Sequence, residues 1–460
     1  VGIGYRLLAI GELVSAFDQE LSRRLAAIRA RGLHRELRRV DSAQSPRLEI
    51  AGRRLLNFSS NDYLGLANDP ALKTAALKAV EQYGAGAGAS RLICGSLAPH
   101  HELEETLAQF KATEAALAFS SGYAAALGTI TALLDKADVI IVDKLVHACL
   151  VDAARLCGAT LRVFRHNDLE HLEDILRWAD QRRRPPCPSV PGPCPSFPAV
   201  AEPSGQRQPR TLVVTESVFS MDGDQAPLPQ IVELKDKYGA WLMLDEAHAT
   251  GLYGAKRRGL AEALNVAHRI EVQMGTLGKA LGAAGGFICG SRVLIDFLVN
   301  RARSFIFSTA PVPAAAAAAS AGVKFVQSDA GRERCARLWE RVSQFANARA
   351  ASGRASDAGA ENPDPGTGAQ RTARPTAMGT QPATGPAAPS TLPSAIIPII
   401  IGPEAEAVAA AAALLEQGIF VPAIRYPTVA RGRARLRVTL TAAHTAEEVA
   451  QLAAALAKLG

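Results

Sequence analysis

The sequence of 460 residues has no apolar run near the roughly eighteen residues that a membrane-crossing helix needs, so no transmembrane anchor is expected. The early stretch YRLLAIGELVSAF carries Glu12 and lacks a basic leader and a clear cleavage site. The expected compartment is therefore the cytoplasm. No Cys-x-x-Cys pair occurs among the seven cysteines, Cys94, Cys149, Cys157, Cys187, Cys194, Cys289 and Cys335. An odd count with irregular spacing points to reduced thiols and away from zinc or a disulfide framework. No aromatic-rich or helix-turn-helix signature accompanies the basic residues Arg23, Arg24, Arg29, Arg31, Arg35, Arg38 and Arg39, which argues against nucleic acid. The net charge of +7 reads either as a solvated helical face or as a surface that steers an anionic partner, such as a nucleotide-bearing thioester or an acidic carrier protein. Internal repeats are also lacking.

What is present is a pattern of short apolar runs separated by helix-length segments. Leu13, Phe17, Leu21, Leu25 and Ile28 recur at three- and four-residue spacing and predict an amphipathic helix within 11–40. RLEIAGRRLLNFSS predicts a hairpin turning at Ala51-Gly52. From about residue 60 to 300 the runs AALAFS, DVIIVD, TLRVF, TLVVTE, WLMLDE and IEVQM alternate with helical stretches. That alternation implies βαβ units, a mostly parallel sheet and ligand binding at the strands' carboxyl ends. Two stretches break the pattern. Residues 182–210 are Pro-rich, and 350–393 are rich in Ala, Gly, Pro, Ser and Thr, so both are expected as disordered insertions. The tail, 394–460, predicts an α+β unit with strands in SAIIPIII and RLRVTL, a helix ending at a Gly cap, and a last helix capped by Thr445.

The chemistry gathers after the strands. In MGTLGKALGAAGG, Lys279 is the single charge among small residues. An unpaired buried ammonium is costly, and a surface lysine needs no glycines around it. A lysine placed as an amine beside a flat carbonyl cofactor accounts for both features. Pyridoxal 5'-phosphate (PLP) requires such a lysine, a carboxylate for its ring nitrogen and a phosphate cradle. Asp245, at the end of WLMLDE, can supply the carboxylate. The helix opening at Ser120-Ser121-Gly122-Tyr123, with Thr276, can supply the cradle. Singly, each feature has an ordinary explanation as a cap or an ion-pair partner. His147, Ser220 and His248 lie near the same strand ends.

The stretches NFSSNDYLGL, FSSGYAA, VVTESVFSMDGDQAPL, DEAHATGLYG, GTLGKALG, FSTAPVP and AIRYPTV together resemble the α-oxoamine synthases over nearly the whole chain outside the two insertions. The resemblance implies an α/β PLP-dependent transferase of fold type I. It implies an N-terminal arm and hairpin over 1–60, a large domain with a mainly parallel sheet over 61–310, and a small C-terminal α+β domain over 311–460. Lys279 matches the Schiff-base lysine and Asp245 the partner of the pyridine nitrogen. His248 and Ser220 match residues bonding the cofactor's phenolic oxygen, and His147 the histidine stacked on its ring. Gly122, Tyr123 and Thr276 match the phosphate cradle. Ser308 and Thr309 match residues reaching the phosphate from the other subunit of a homodimer. Arg425 matches an arginine gripping the amino-acid carboxylate, while Asn61, Arg35 and Thr428 match further substrate contacts. NFSSNDYLGL, AIR-x-PTV and RLRVTLTAAHT look most like the biotin-pathway branch, although Tyr426 stands where that branch commonly has proline. The implied reaction condenses L-alanine with a pimeloyl thioester, on coenzyme A or a carrier protein, with loss of CO2. GTLGKALG is shared with glycine acetyltransferases, so glycine with acetyl-CoA, or another sister activity, is the alternative.

Overall fold

The hairpin at Ala51-Gly52 forms as its turn residues dictate. In a computed structural model describing residues 15–183, 208–351 and 392–459, β1 (Arg47–Ile50) and β2 (Arg53–Asn57) pair antiparallel. Both turn residues take positive φ, 50° at Ala51 and 72° at Gly52, matching the twist of a tight hairpin.

All six apolar runs of the middle region form strands: β3 (Ala115–Phe119), β4 (Val139–Asp143), β5 (Thr160–Phe164), β6 (Thr211–Glu216), β7 (Trp241–Asp245) and β8 (Val272–Thr276). A seventh, β9 (Gly286–Gly290), was not expected. The sheet order is β3-β9-β8-β7-β6-β4-β5. Neighbours from β8 to β5 run parallel, while β9 runs antiparallel to both β8 and β3. Every residue of β3, β4 and β6 is buried, as expected of a parallel sheet covered on both faces. The carboxyl ends of β3, β4, β6, β7 and β8 therefore open on one edge, where the sheet fixes their mutual spacing.

A second sheet, β10-β13-β12, is built from β10 (Ile396–Gly402), β12 (Ala423–Ile424) and β13 (Ala434–Thr439), all antiparallel. The short β11 (Ile419–Phe420) instead joins β2 in parallel and ties the hairpin to the tail. Helices Glu404–Glu416 and Ala446–Ala457 accompany this unit. Thr445 caps the last helix in a reciprocal box with Glu448.

Two expectations need correction. The N-terminal helix runs Ala16–Ala30, not through 11–40, with Ser15 accepting the Asp18 N–H and Gly32 at φ +65° just past its end. Its apolar stripe is not buried: Phe17 is 70 % exposed, and Leu21, Leu25 and Ile28 are exposed as well. Leu13 lies outside the described residues. Periodicity shows which face seeks apolar company, not where that company comes from. The first insertion also begins later than expected, because a helix continues from Leu169 to Arg183. Residues 184–207 and 352–391, which make up most of both insertions and include Cys187 and Cys194, lie outside the described residues. Among those residues, no helix is long and apolar enough to cross a membrane.

Candidate active site

Three adjacent strands deliver the central charges. Glu216 ends β6, Asp245 ends β7 directly opposite it, and Lys279 follows β8 by three residues. Glu216 and Asp245 are 2 % and 5 % exposed, so two carboxylates lie side by side away from water. Burial and the neighbouring Asp245 push the Glu216 carboxyl up to about 8. Burial raises Asp245 too, against the opposing pull of Lys279. Burial lowers the Lys279 ammonium, and the two carboxylates act the other way. Burial thus disfavours charge on all three groups, and the attraction between Lys279 and the carboxylates acts against it.

Lys279 is also tied into a line of hydrogen bonds. Its Nζ lies 2.8 Å from His248 Nε2, and His248 Nδ1 lies 2.6 Å from the Tyr63 hydroxyl. Tyr63 in turn donates to Asn61 Oδ1 at 3.5 Å. Burial pushes His248 well below the usual histidine range, so its ring is neutral. With Nε2 accepting from Lys279, the His248 proton sits on Nδ1 and faces Tyr63. Tyr63 is fully buried and was not singled out from the sequence, although it lies within NFSSNDYLGL.

The residues expected to form the cradle come together by close approach. Ser121 caps the helix Gly122–Leu133, its side chain accepting the Ala124 N–H. A Cβ on Gly122 would fall 2.7 Å from Thr276 Cγ2, and one on Gly286 only 2.6 Å from the Gly122 backbone. Glycine is required at both positions for the helix start and the two strands to meet. Thr276 Oγ1 is buried there without a hydrogen-bond partner. A free helix N-terminus beside an unsatisfied hydroxyl fits a phosphate, and with Asp245 and Lys279 nearby the residues present fit PLP. Tyr123 is exposed and donates to Asp152 Oδ2 at 3.0 Å.

His147 caps the helix Ala148–Leu156, and its backbone N–H donates to Glu216. His147 is exposed, yet its partial burial lowers its ionisation, and Asp245 opposes that. Ser220 is buried in the loop after β6, and its carbonyl accepts from Arg437 Nε at 2.5 Å. Thr309 is exposed at an isolated bridge to Ser90, with Ser308 half-buried beside it.

Two arginines part company here. Arg425 Nη2 donates to the His34 carbonyl at 2.7 Å, and Arg35 Nη2 reaches Thr428 Oγ1 at 3.4 Å. Arg35, Arg425 and Thr428 thus come together, but as a clasp between the segment after the first helix and the loop following β12. Arg437, on β13, is the arginine whose charge acts on Lys279, His248 and Tyr63. It is 7 % exposed, and its Nη2 is buried without a partner. The signal for Arg437 was visible: alternating arginines in ARLRVT, inside a strand whose every residue is buried. A buried strand does not carry a guanidinium without a use for it.

The sequence matches the family described as Aminotransferase class I and II over residues 53–367 and 380–456. It is 43 % identical to the 8-amino-7-oxononanoate synthase of Anaeromyxobacter dehalogenans, over 94 % of this chain and 93 % of that protein. The enzyme of the same name from Geobacter sulfurreducens is 41 % identical, over 95 % and 96 %. Among solved structures, a serine palmitoyltransferase from S. paucimobilis with bound PLP superposes with a TM-score of 0.78 at 26 % identity, over 98 % of each chain. The chain belongs to the aminotransferase class I and II family, within it to the 8-amino-7-oxononanoate synthases, and is a PLP-dependent acyltransferase of fold type I.

Proposed function

We propose that this member of the family joins L-alanine to a pimeloyl thioester, giving 8-amino-7-oxononanoate, CO2 and the free thiol. The observation that carries the reading is Lys279 held between Asp245, Glu216 and His248 at the ends of three parallel strands. PLP bound there supplies a carbonyl for the substrate's amino group and an electron sink for the carbanion formed at its α-carbon. Asp245 would face the ring nitrogen and keep it protonated. Gly122, Tyr123 and Thr276 would hold the phosphate, and Ser220 and His248 the phenolic oxygen. Lys279 Nζ, lowered toward a free amine, would take the α-proton of alanine. His147 would cover the ring and face the acyl carbonyl. Arg437 Nη2 would take the amino-acid carboxylate in a charge-assisted bond, with Arg35, Asn61, Arg425 and Thr428 shaping the substrate's entrance. The exposed stripe of the first helix and the exposed Thr309 support a homodimer in which Ser308 and Thr309 serve the other subunit's phosphate.

A panel of alanine, glycine and serine against pimeloyl, acetyl, succinyl and palmitoyl thioesters tests this. CO2 release and free thiol would be measured for each pair. Alanine with pimeloyl-CoA or a pimeloyl carrier protein should give the highest kcat/KM. A higher value for glycine with acetyl-CoA would overturn the assignment in favour of a sister activity.

A further inference from the structure

His147 has a neighbour that no role yet explains. Its Nδ1 lies 3.2 Å from the backbone N–H of Cys149, which donates to it, and 3.0 Å from the Cys149 Sγ. Cys149 is 3 % exposed, in the first turn of the helix that His147 caps. We infer that Cys149 is a positioning residue for His147: its backbone N–H and its thiol together hold Nδ1 as an acceptor and keep the imidazole proton on Nε2.

The geometry leaves little alternative. A backbone N–H cannot accept, so the ring nitrogen facing it must carry its lone pair and not a proton. The thiol then has an acceptor in front of it, and burial beside Asp245 and Glu216 pushes the thiol up, so it keeps its own proton to donate. The other groups facing His147 are Asp245 on β7, Glu216 on β6, Lys279 after β8 and Asp152 on its own helix. Glu216 engages the His147 backbone, not Nδ1. A histidine fixed in this way presents Nε2–H on the side away from the helix. It can donate to a carbonyl oxygen through Nε2–H, while its one basic nitrogen, Nδ1, is engaged by Cys149, which leaves abstraction of the α-proton to Lys279. What Nε2–H meets rests on the proposed function; the tautomer itself does not.

The test is 15N NMR of histidine-labelled full-length protein, with and without bound PLP, His147 being assigned by its loss in His147→Asn. Nδ1 should resonate as an unprotonated acceptor and Nε2 as a protonated nitrogen. Cys149→Ala removes a donor that favours the neutral ring, so the His147 ionisation should rise by about half a unit. The acid limb of the pH–rate profile should move up with it. Cys149→Ser, which restores a donor of similar reach, should bring both back. A proton on Nδ1 in the unmodified protein, or a Cys149→Ala protein that titrates as the unmodified one does, would overturn the inference. Correct titration in a protein that turns over no alanine–pimeloyl pair would instead overturn the functional reading and leave the tautomer standing.

Discussion

The ends of β6, β7 and β8 and the clasp around His34 both hold residues expected to serve one site, and they are built in opposite ways. At the strand ends and the loops beside them, Glu216, Asp245, His248 and Tyr63 are buried; backbone pairing sets the spacing of the first two, and hydrogen bonds hold His248 between Lys279 and Tyr63. In the clasp, Arg35 and Thr428 are exposed, and two arginine side chains bridge segments nearly four hundred residues apart in sequence. Buried charges in fixed frames must match one another or shift their ionisation, so each becomes hard to replace. An exposed arginine such as Arg35 and a half-buried one on a loop such as Arg425 are better screened and more movable, and a substitution there has less to break.

The sharpest break should come at Asp245. Asp245→Asn should keep the protein folded and able to bind PLP but lower kcat by about a hundred-fold or more, since an amide cannot hold the ring nitrogen's proton. Stopped-flow or steady-state turnover with saturating alanine would show it. Near-normal turnover would place the ring's partner elsewhere.

The two arginines give the next contrast. Arg437→Lys should raise the KM for alanine by about ten-fold or more, because lysine cannot reproduce the guanidinium fork. Arg425→Lys should raise it by about three-fold or less, as expected of a residue that braces a loop through the His34 carbonyl. If Arg425→Lys alone moves the alanine KM, the carboxylate binds at the clasp.

Much of this frame was legible in the sequence. The strands β3 to β8 announced themselves as short apolar runs ending in polar residues, and Lys279, Asp245 and Thr276 sit just where those runs stop. The hairpin and the Thr445 cap were equally local signals. β9 escapes the sequence because GFICG is bounded by glycines whose reason is close packing, Gly286 on Gly122 and Gly290 on Leu294 and the Glu271 carbonyl, contacts no local pattern encodes. Tyr63 and Arg437 share a related cause: their roles come from long-range hydrogen bonds and charges, and the alternating arginines of ARLRVT point to a use only once the burial of β13 is known. The exposed stripe of the first helix shows the converse: the apolar spacing marks a helix that forms, but no residue of that helix is buried in the single chain.

A smaller effect separates the regions by pH. The Glu216 carboxyl moves from an ordinary 4.5 up to about 8 on folding, so folding takes up a proton between those values. Below about 4.5 both states are protonated and burial of this group costs nothing in ionisation. As pH rises toward about 8, the unfolded chain is favoured by its freedom to ionise, and stability is lost. The Tm of the PLP-free protein should therefore fall across that window by a few degrees more than that of Glu216→Gln. Parallel melting curves would mean that Glu216 is already ionised when folded.

The smallest effect belongs to the clasp. Arg35→Ala removes one long exposed contact to Thr428, and kcat/KM should change by about two-fold or less. A loss rivalling that of Arg437→Lys would make the two regions one binding surface.

The central claim is that Lys279 is the amine that joins PLP. Borohydride treatment of the PLP-loaded protein, followed by proteolysis and mass mapping, tests it directly. A pyridoxyl group should be found on Lys279 and be lost in Lys279→Ala. Its appearance on another lysine, or no stable label on the loaded protein, would contradict the account.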